Sequence, residues 1–421
     1  MDAASPLGIE VTVASEQPNT LSRLNPAGLI TLDFADPEKS ARRVVEFATE
    51  YPIDAVIPVD GQVVVVGASI SAALGLRHNS VESAAAAQDK HCMRQRFKTA
   101  GVPSPRFTLC SLDEDRAALA ARVSYPCVVK PLALAASQGV IRADDPPQFI
   151  RAVDRLEAIL TREHSTPPDS DGCNDYGEKS HSKVPPPPAA RQLLVEQVVN
   201  GPEVALEGML TRGELRVLAL FDKPDPMDGP FFEETIYVTP SRVAAAMQEQ
   251  IAQCAGQAAR ALGLTDGPIH AELRLTTDGP SVIEVNARSI GGLCSRMLQF
   301  GTGMPLEELI IRHAIEGDFD IPQRQSQATG VMMIPTASAG RLTAIHGLAE
   351  AKAVSGIEEI TVSAHLGQQL TPLPEGSRYL GFIFAQADTP ESVESALRES
   401  HAQLEFVIEP KAERTRENSS A

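Results

Sequence analysis

Tryptophan is missing from this 421-residue chain and aromatic residues make up only 4% of it, which excludes little. The other shortages exclude more. The six cysteines, Cys92, Cys110, Cys127, Cys173, Cys254 and Cys294, form no C-x-x-C pair and have no histidine at metal spacing. That argues against a zinc site or a disulfide framework and fits reduced thiols. Basic residues are scarce: 37 against 55 acidic ones give a net charge of −18, which argues against nonspecific binding to nucleic acid or to an anionic membrane. No apolar run approaches the roughly 18 residues of a membrane span. The opening MDAASPLGIEVTVASE lacks a basic segment followed by an apolar core, so a cytoplasmic protein is expected. With 43% hydrophobic and 22% charged residues, what remains is ordinary globular composition, long enough for two or three domains.

Along the chain, short apolar strands in IEVTVAS, GLITLDF and DAVIPVDGQ alternate with helical segments at 37–50 and from Val63 to Leu76, a parallel α/β pattern. No apolar strand precedes IEVTVAS, so either the first strand expected of a doubly wound lead domain is missing or the fold copes without one. Ser80 to Gly101 reads as one helix, stopped by Gly101, Pro103 and Pro105, and an N-terminal domain is expected over 1–105. A second domain, 106–322, begins with strands at 106–110 and 126–132 and helices near 113–122 and 146–162. It is interrupted by a Pro, Ser, Asp and Gly-rich stretch, 163–191, which reads as a disordered insertion whose four consecutive prolines form a stiff spacer or an SH3-type ligand. An antiparallel meander follows (LLVEQVV, EVALEGML, LRVLALFDK), then a helix from Ser241, its expected N-cap, to Leu262, whose apolar stripe is core. A compact α+β region is expected over 323–410 and a polar tail over 411–421.

The segment HAELRLTTDGPSVIEVNARSIGG carries the chemistry. Both halves alternate with period two and read as a hairpin around a Thr277-Asp278-Gly279 loop, with Ile283 and Val285 toward the core. Residues whose numbers sum to 556 then face each other, placing Glu272 opposite Glu284 with Cβ atoms roughly 5 Å apart. Two facing carboxylates repel. Either a cation or a proton sits between them, with Asn286 as a neutral oxygen and magnesium or manganese as the hard ion that suits such donors, or the hairpin is a solvated edge. Lys130 ends the apolar strand CVVK before a small-residue stretch containing Gly139, an arrangement that can aim an ammonium and a loop at phosphates but that also suits a solvated strand end. Lys90 lies on a polar helix face.

Taken in order, the two lysines, the glycine loop, VEQVV and the carboxylate hairpin resemble the ATP-grasp superfamily of carboxylate–amine ligases over nearly the whole chain. The resemblance implies a mixed α/β and α+β architecture, an ATP-grasp fold with a lead domain and a C-terminal α+β region, gripping ATP between two subdomains. It implies that Lys90 and Lys130 contact phosphates under a loop, Ala135 to Val140, containing Ser137 and Gly139. Glu196, Gln197 and Val199 would meet the adenine and Glu203 the ribose. Glu272, Glu284 and Asn286 would hold Mg2+ or Mn2+, and Arg288 would lie by the γ-phosphate and the reacting carboxylate. Candidate substrate contacts are His270, Glu234, Gly291 and Gly292, each with an ordinary structural alternative. HAELRL, EVNARSIGG, GVMMIP and YLGFIFA look most like the branch of bacterial L-amino-acid ligases and carnosine synthase. The implied reaction joins a small-molecule carboxylate to an amine through an acyl phosphate, and analogy with related folds implies a homodimer. The rival readings are an ATP-grasp carboxylase or carbamoyl-phosphate-type enzyme, for which no biotin-attachment segment is seen, and a catalytically silent nucleotide binder.

Overall fold

The computed structural model describes residues 3–18, 24–132, 134–165, 191–317 and 319–410. The expected insertion 163–191, except for 163–165 and 191, lies outside the described residues, as does the tail 411–421. At the N-terminal end, β1 (Val13–Ser15) and β2 (Leu29–Thr31) pair in parallel, followed by α1 (Pro37–Ala48) and α2 (Val64–Leu74). Asp36 caps α1 by accepting from the Lys39 N–H at 2.9 Å, just ahead of Pro37, whose missing N–H costs nothing at a helix start. The expected strand at DAVIPVDGQ does not form a ladder. Pro52 lies just ahead of it and Pro58 within it, and Pro58 packs on α2 so tightly that a Cβ on Gly67 would lie 3.3 Å from it.

The single helix expected over 80–101 is two, α3 (Val81–Gln88) and α4 (Lys90–Ala100). Asp89 separates them: its backbone is extended (φ −90°, ψ 110°) and its carboxylate accepts from the Cys92 N–H at 2.8 Å, capping α4. Lys90 is therefore the first residue of a helix, not the middle of one.

A four-stranded sheet, the lid, comes next. Its order is β3-β6-β4-β5, built from β3 (Phe107–Ser111), β4 (Cys127–Pro131), β5 (Ile141–Ala143) and β6 (Gln192–Gln197). The helices α5 (Arg116–Arg122) and α6 (Pro146–Ser165) share its apolar cluster, in which Leu119, Val129, Phe149 and Leu193 are buried.

The main body is one eight-stranded sheet ordered β11-β10-β7-β8-β9-β14-β18-β16. Its first half is β7 (Glu203–Thr211), β8 (Glu214–Lys223), β9 (Ile236–Thr239), β10 (Gly267–Thr276) and β11 (Gly279–Asn286), with α7 (Ala245–Leu262) between β9 and β10. Leu206 and Leu210 of β7, Ile269 and Leu273 of β10, and Val282 and Val285 of β11 bury one face against α7 and α4. Ser241 does not cap α7, which starts four residues later. Its hydroxyl instead donates to Asp222 and accepts from the Val243 N–H. After β12 (Gln299–Phe300), β13 (Met304–Pro305) and α8 (Leu306–Glu316), the sheet is completed by β14 (Ala328–Ile334), β16 (Ile357–Val362) and β18 (Gly381–Ala387). A small sheet of β15 (Gly340–His346), β17 (Gln369–Leu370) and β19 (Glu405–Glu409), with α9 (Leu348–Lys352) and α10 (Pro390–Gln403), finishes the C-terminal region.

The β10–β11 hairpin turns on two residues, Thr277 and Asp278, because Thr276 already pairs with Gly279. A bulge between the Glu272 and Leu273 pairings leaves Ile283 without a partner and puts Glu272 opposite Glu284. The extra residue is why Val282 and Val285, three apart, are both buried, while Ile283 is only half-buried. The expectation that Ile283 faces the core is thereby corrected.

Where β7 begins, Gly201 has φ +123° and a Cβ there would lie 2.1 Å from the Leu275 carbonyl oxygen. Gly201→Ala should lower stability by about 2 kcal/mol in denaturant titration, because β7 and β10 must part to admit the methyl.

Candidate active site

Cross-strand pairing lays out the face of the main sheet turned away from α7. In one row Lys223 of β8 pairs with Glu203 of β7, and Glu203 with Arg274 of β10. In the next, Phe221 pairs with Ala205, Ala205 with Glu272 and Glu272 with Glu284. In the third, Ala219 pairs with Glu207, Glu207 with His270 and His270 with Asn286. Period-two alternation on three strands thus converges on one charged surface. Ala205, fully buried at its centre, leaves room above itself for the long side chains around it.

Cations answer the carboxylates. Lys90, at the start of α4, places Nζ 3.4 Å from Glu284 and donates to the Leu134 carbonyl at 3.0 Å. Burial resists ionisation of Glu284, but Lys90, Lys130 and Arg288 overcome it and hold the carboxyl at about 2. Lys223 lies 2.7 Å from Glu203 and 3.4 Å from Glu272, bonds Glu234, and stands 5.0 Å from the Tyr237 ring. Burial would deprotonate it, yet these carboxylates push its pKa well above the ordinary lysine value. Carboxylate oxygens of Glu203, Glu234 and Glu272 lie within 4.8 Å of one another, so Lys223 occupies the centre of an acidic cluster. Glu207, wholly buried and with its pKa raised by desolvation, accepts from the Ile290 N–H at 3.0 Å and pairs with His270 Nδ1 at 3.2 Å. The other ring nitrogen of His270 is 3.6 Å from Glu272.

The lid contributes Lys130, buried and 2.6 Å from Glu196, its pKa lowered by desolvation. Arg94 lies 2.7 Å from the same carboxylate and donates to the bulge carbonyl of Ile283 at 2.5 Å. The structure therefore brings together Lys90, Lys130, Glu196, Glu203, Glu234, His270, Glu272, Glu284 and Asn286. The Glu196 carboxylate points to Arg94 and Lys130, and the Gln197 side chain accepts from Arg106 at 2.8 Å. Val199 follows β6 in the connection to β7. Glu234, which the sequence places on an exposed loop, is instead half-buried and already holds an ammonium, that of Lys223. Arg288 is half-buried and donates to the Ser289 carbonyl. Gly291 lies beside the Arg288 guanidinium, and Gly292, at φ +62°, lies against Phe382. Ser137 and Gly139 form a turn with left-handed backbone at φ 55° and 73°.

Four residues of the site escaped sequence reading: Arg94, Glu207, Lys223 and Arg274. Faint signals existed. Arg94 is one helical turn beyond Lys90, Glu207 continues the alternation of Glu203, and Lys223 ends the strand LFDK as Lys130 ends CVVK.

Profiles of known families match the chain in three places: the ATP-grasp N-terminal domain at 1–78, the ATP-grasp domain at 177–297 and the L-amino acid ligase C-terminal domain 2 at 332–409. The chain belongs to the ATP-grasp superfamily. It is 26% identical over 314 residues to alanine–anticapsin ligase of Bacillus subtilis, covering 69% of this chain and 60% of that protein. Over 216 residues it is 27% identical to dapdiamide A synthase of Enterobacter agglomerans, covering 51% of this chain and 45% of that protein. The chain thus spans about six tenths or less of the length of these curated relatives. The crystal structure of L-amino acid ligase from Bacillus licheniformis superposes with a TM-score of 0.76 at 26% identity, covering 97% of this chain and 95% of that one. Phosphoribosylglycinamide synthetase from Anaerococcus prevotii, at 16% identity and a TM-score of 0.63, shares the fold. Among the described residues no helix of this ATP-grasp chain is long and apolar enough to cross a membrane.

A carboxyl held at about 2 stabilises the native state above its unfolded value of 4.5, and that contribution is lost as pH falls from 4.5 toward about 2. Lys90→Met removes the strongest group favouring ionisation, so the acid-side fall in thermal midpoint should be shallower in the variant than in the parent when melts are compared across that window.

Proposed function

We propose that this chain is an ATP-dependent ligase that activates a carboxylate as an acyl phosphate and joins it to an amine, with amino acids as both partners and a dipeptide-type amide as product. The observation that carries this reading is the charged face itself: Glu272 and Glu284 opposed across β10–β11, Asn286 next along, and lysines from α4, β4 and β8 aimed at the same surface. A solvated edge hairpin would not need it: β11 is the edge strand of the sheet, yet Glu272 and Glu284 are half-buried there and paired with Lys223 and Lys90.

Two carboxylates and an amide oxygen suit a hard divalent cation, Mg2+ or Mn2+, so Glu272, Glu284 and Asn286 are the residues that would hold it. Such an ion supplies neutralisation of phosphate charge. The chain's own residues supply the rest. Lys90 and Lys130 leave Glu284 and Glu196 for the phosphates, with the loop 135–140 above them. Glu196, Gln197 and Val199 line the adenine side and Glu203 the ribose. The substrate carboxylate oxygen attacks the γ-phosphorus, the bond to the β-bridging oxygen breaks, and ADP leaves. Arg288 stabilises the acyl phosphate through a planar fork that lysine cannot copy. The amine then attacks the acyl carbon, phosphate leaves, and the amine gives up a proton. Glu234 offers an anionic contact for a substrate ammonium, while His270, Gly291 and Gly292 border the same space. The proposal includes a homodimer, by analogy with related folds, and the cytoplasm, which suits reduced thiols.

The test is phosphate release from Mg-ATP against amino acids offered singly and in pairs. Release should require a pair, and Glu284→Gln should cut turnover by at least about a hundredfold. Release that depends on bicarbonate and no amine would replace the ligase reading with a carboxylase one.

A further inference from the structure

Besides α4, whose Lys90 and Arg94 reach Leu134 and Glu196, two short stretches of chain contact the lid. In the first, the Pro230 carbonyl accepts from the Arg142 N–H at 2.9 Å and the Asp228 carbonyl from the Arg142 side chain at 2.7 Å, while Phe231 bridges to Ile141. The second is Pro374-Glu375, in the C-terminal region. The Pro374 carbonyl accepts from the Gly139 N–H at 2.9 Å, and the Glu375 carbonyl accepts from the Gln138 side chain at 2.8 Å. The Glu375 carboxylate takes a bidentate pair from Arg155 of α6, at 2.5 and 2.9 Å. The Arg155 guanidinium also lies 4.9 Å from the centre of the Phe231 ring, which joins the two stretches.

Two of these contacts fall on the glycine loop, and the loop needs them. Ala136, Ser137 and Gly139 all have left-handed backbone, at φ 51°, 55° and 73°. For Ala136 and Ser137 that conformation costs roughly 1–2 kcal/mol each. Internally the loop makes two turn hydrogen bonds, Gln138 N–H to Ala135 and Val140 N–H to Ser137, both at 3.1 Å. A strained segment with little internal support keeps one shape only when its surroundings fix it. Gly139 is packed as well: a Cβ there would lie 2.8 Å from Leu156, on the same helix as Arg155.

We infer that Glu375 is a positioning residue for the loop 135–140: with the Pro374 carbonyl it seats the loop in the shape that covers the ATP phosphates, so the C-terminal region sets the geometry of phosphate binding. The inference rests on the proposed reading of that loop. The pairing with Arg155 holds the Glu375 carboxyl below the ordinary carboxylate range, so the seat is charged at neutral pH.

The experiment uses the full chain with Glu375→Arg, Arg155→Glu and the exchange of both. Hydrogen exchange at 134–140 is followed without nucleotide, calorimetry measures the affinity for a non-hydrolysable Mg-ATP analogue, and KM is measured for ATP and for the amino acids. Each single variant should lose protection in the loop and bind the analogue about fivefold more weakly, with KM rising for ATP alone. The double exchange should regain both. Unchanged exchange and affinity in the single variants would overturn the inference, as would a double variant no better than either single. Lys90→Met separates the two levels: if it leaves analogue affinity intact, the reading of the ATP site fails and takes the inference with it, whatever the loop's exchange shows.

Discussion

The opposition of Glu272 and Glu284 is the constraint around which the molecule is built. Two carboxylates on neighbouring strands repel, and in a partly buried setting that repulsion is weakly screened. The fold meets it by drawing cations from separate elements. Lys90 arrives because Asp89 breaks the preceding helix and restarts it at the right point. Lys223 reaches Glu272 from two strands away, over the small side chain of Ala205. Arg94 takes the carbonyl of Ile283, the residue that the bulge leaves unpaired, and so fixes the bulge that sets Glu284 opposite Glu272. Remove any of these and a buried charge or a buried carbonyl is left without its partner, which is the costly case.

The same strands pay no penalty on their other face. Leu206, Ile269, Leu273, Val282 and Val285 bury against α7 and α4, so the hydrophobic term that orders the sheet is separate from the charged surface it presents. This separation also explains the bulge. Without it, Val282 and Val285 could not both face α7 while Glu284 faces Glu272, because strict alternation puts residues three apart on opposite faces.

What the sequence made legible was local. The facing of Glu272 and Glu284 followed from alternation and a turn, and the order of lysine, lysine, glycine loop and acidic hairpin followed from spacing. Strict alternation around a three-residue turn misses both the two-residue turn and the bulge, and the two differences cancel in the register of that pair; they do not cancel for Ile283, since Val282 and Ile283 are both β-branched and apolar and nothing local says which one turns inward. The break at Asp89 was hidden by the alanine-rich run before it, although an aspartate three residues ahead of the N–H it caps is a readable signal. DAVIPV carries strand-forming residues, but Pro58 within it and Pro52 ahead of it deny it a ladder. Arg94, Glu207, Lys223 and Arg274 were out of reach for a different reason. Their roles are set by partners far away in sequence, such as Ile283 for Arg94, and no local period encodes such a pairing.

One consequence concerns how a ligand as charged as ATP could enter this site. In the structure each lysine of the site has a carboxylate partner: Lys90 has Glu284, Lys130 has Glu196, and Lys223 has Glu203, Glu234 and Glu272. On the proposed reading, phosphates take the lysines while a divalent cation takes Glu272 and Glu284, so each charge exchanges one opposite partner for another. Such an exchange avoids the several kcal/mol that an isolated buried ion costs. It also makes the two arrivals interdependent. Phosphates without the cation would strip Glu284 of Lys90 and leave two bare carboxylates facing each other, and the cation without phosphates would crowd Lys90 and Lys223. The charge arrangement therefore favours the nucleotide and the metal binding together over either one alone.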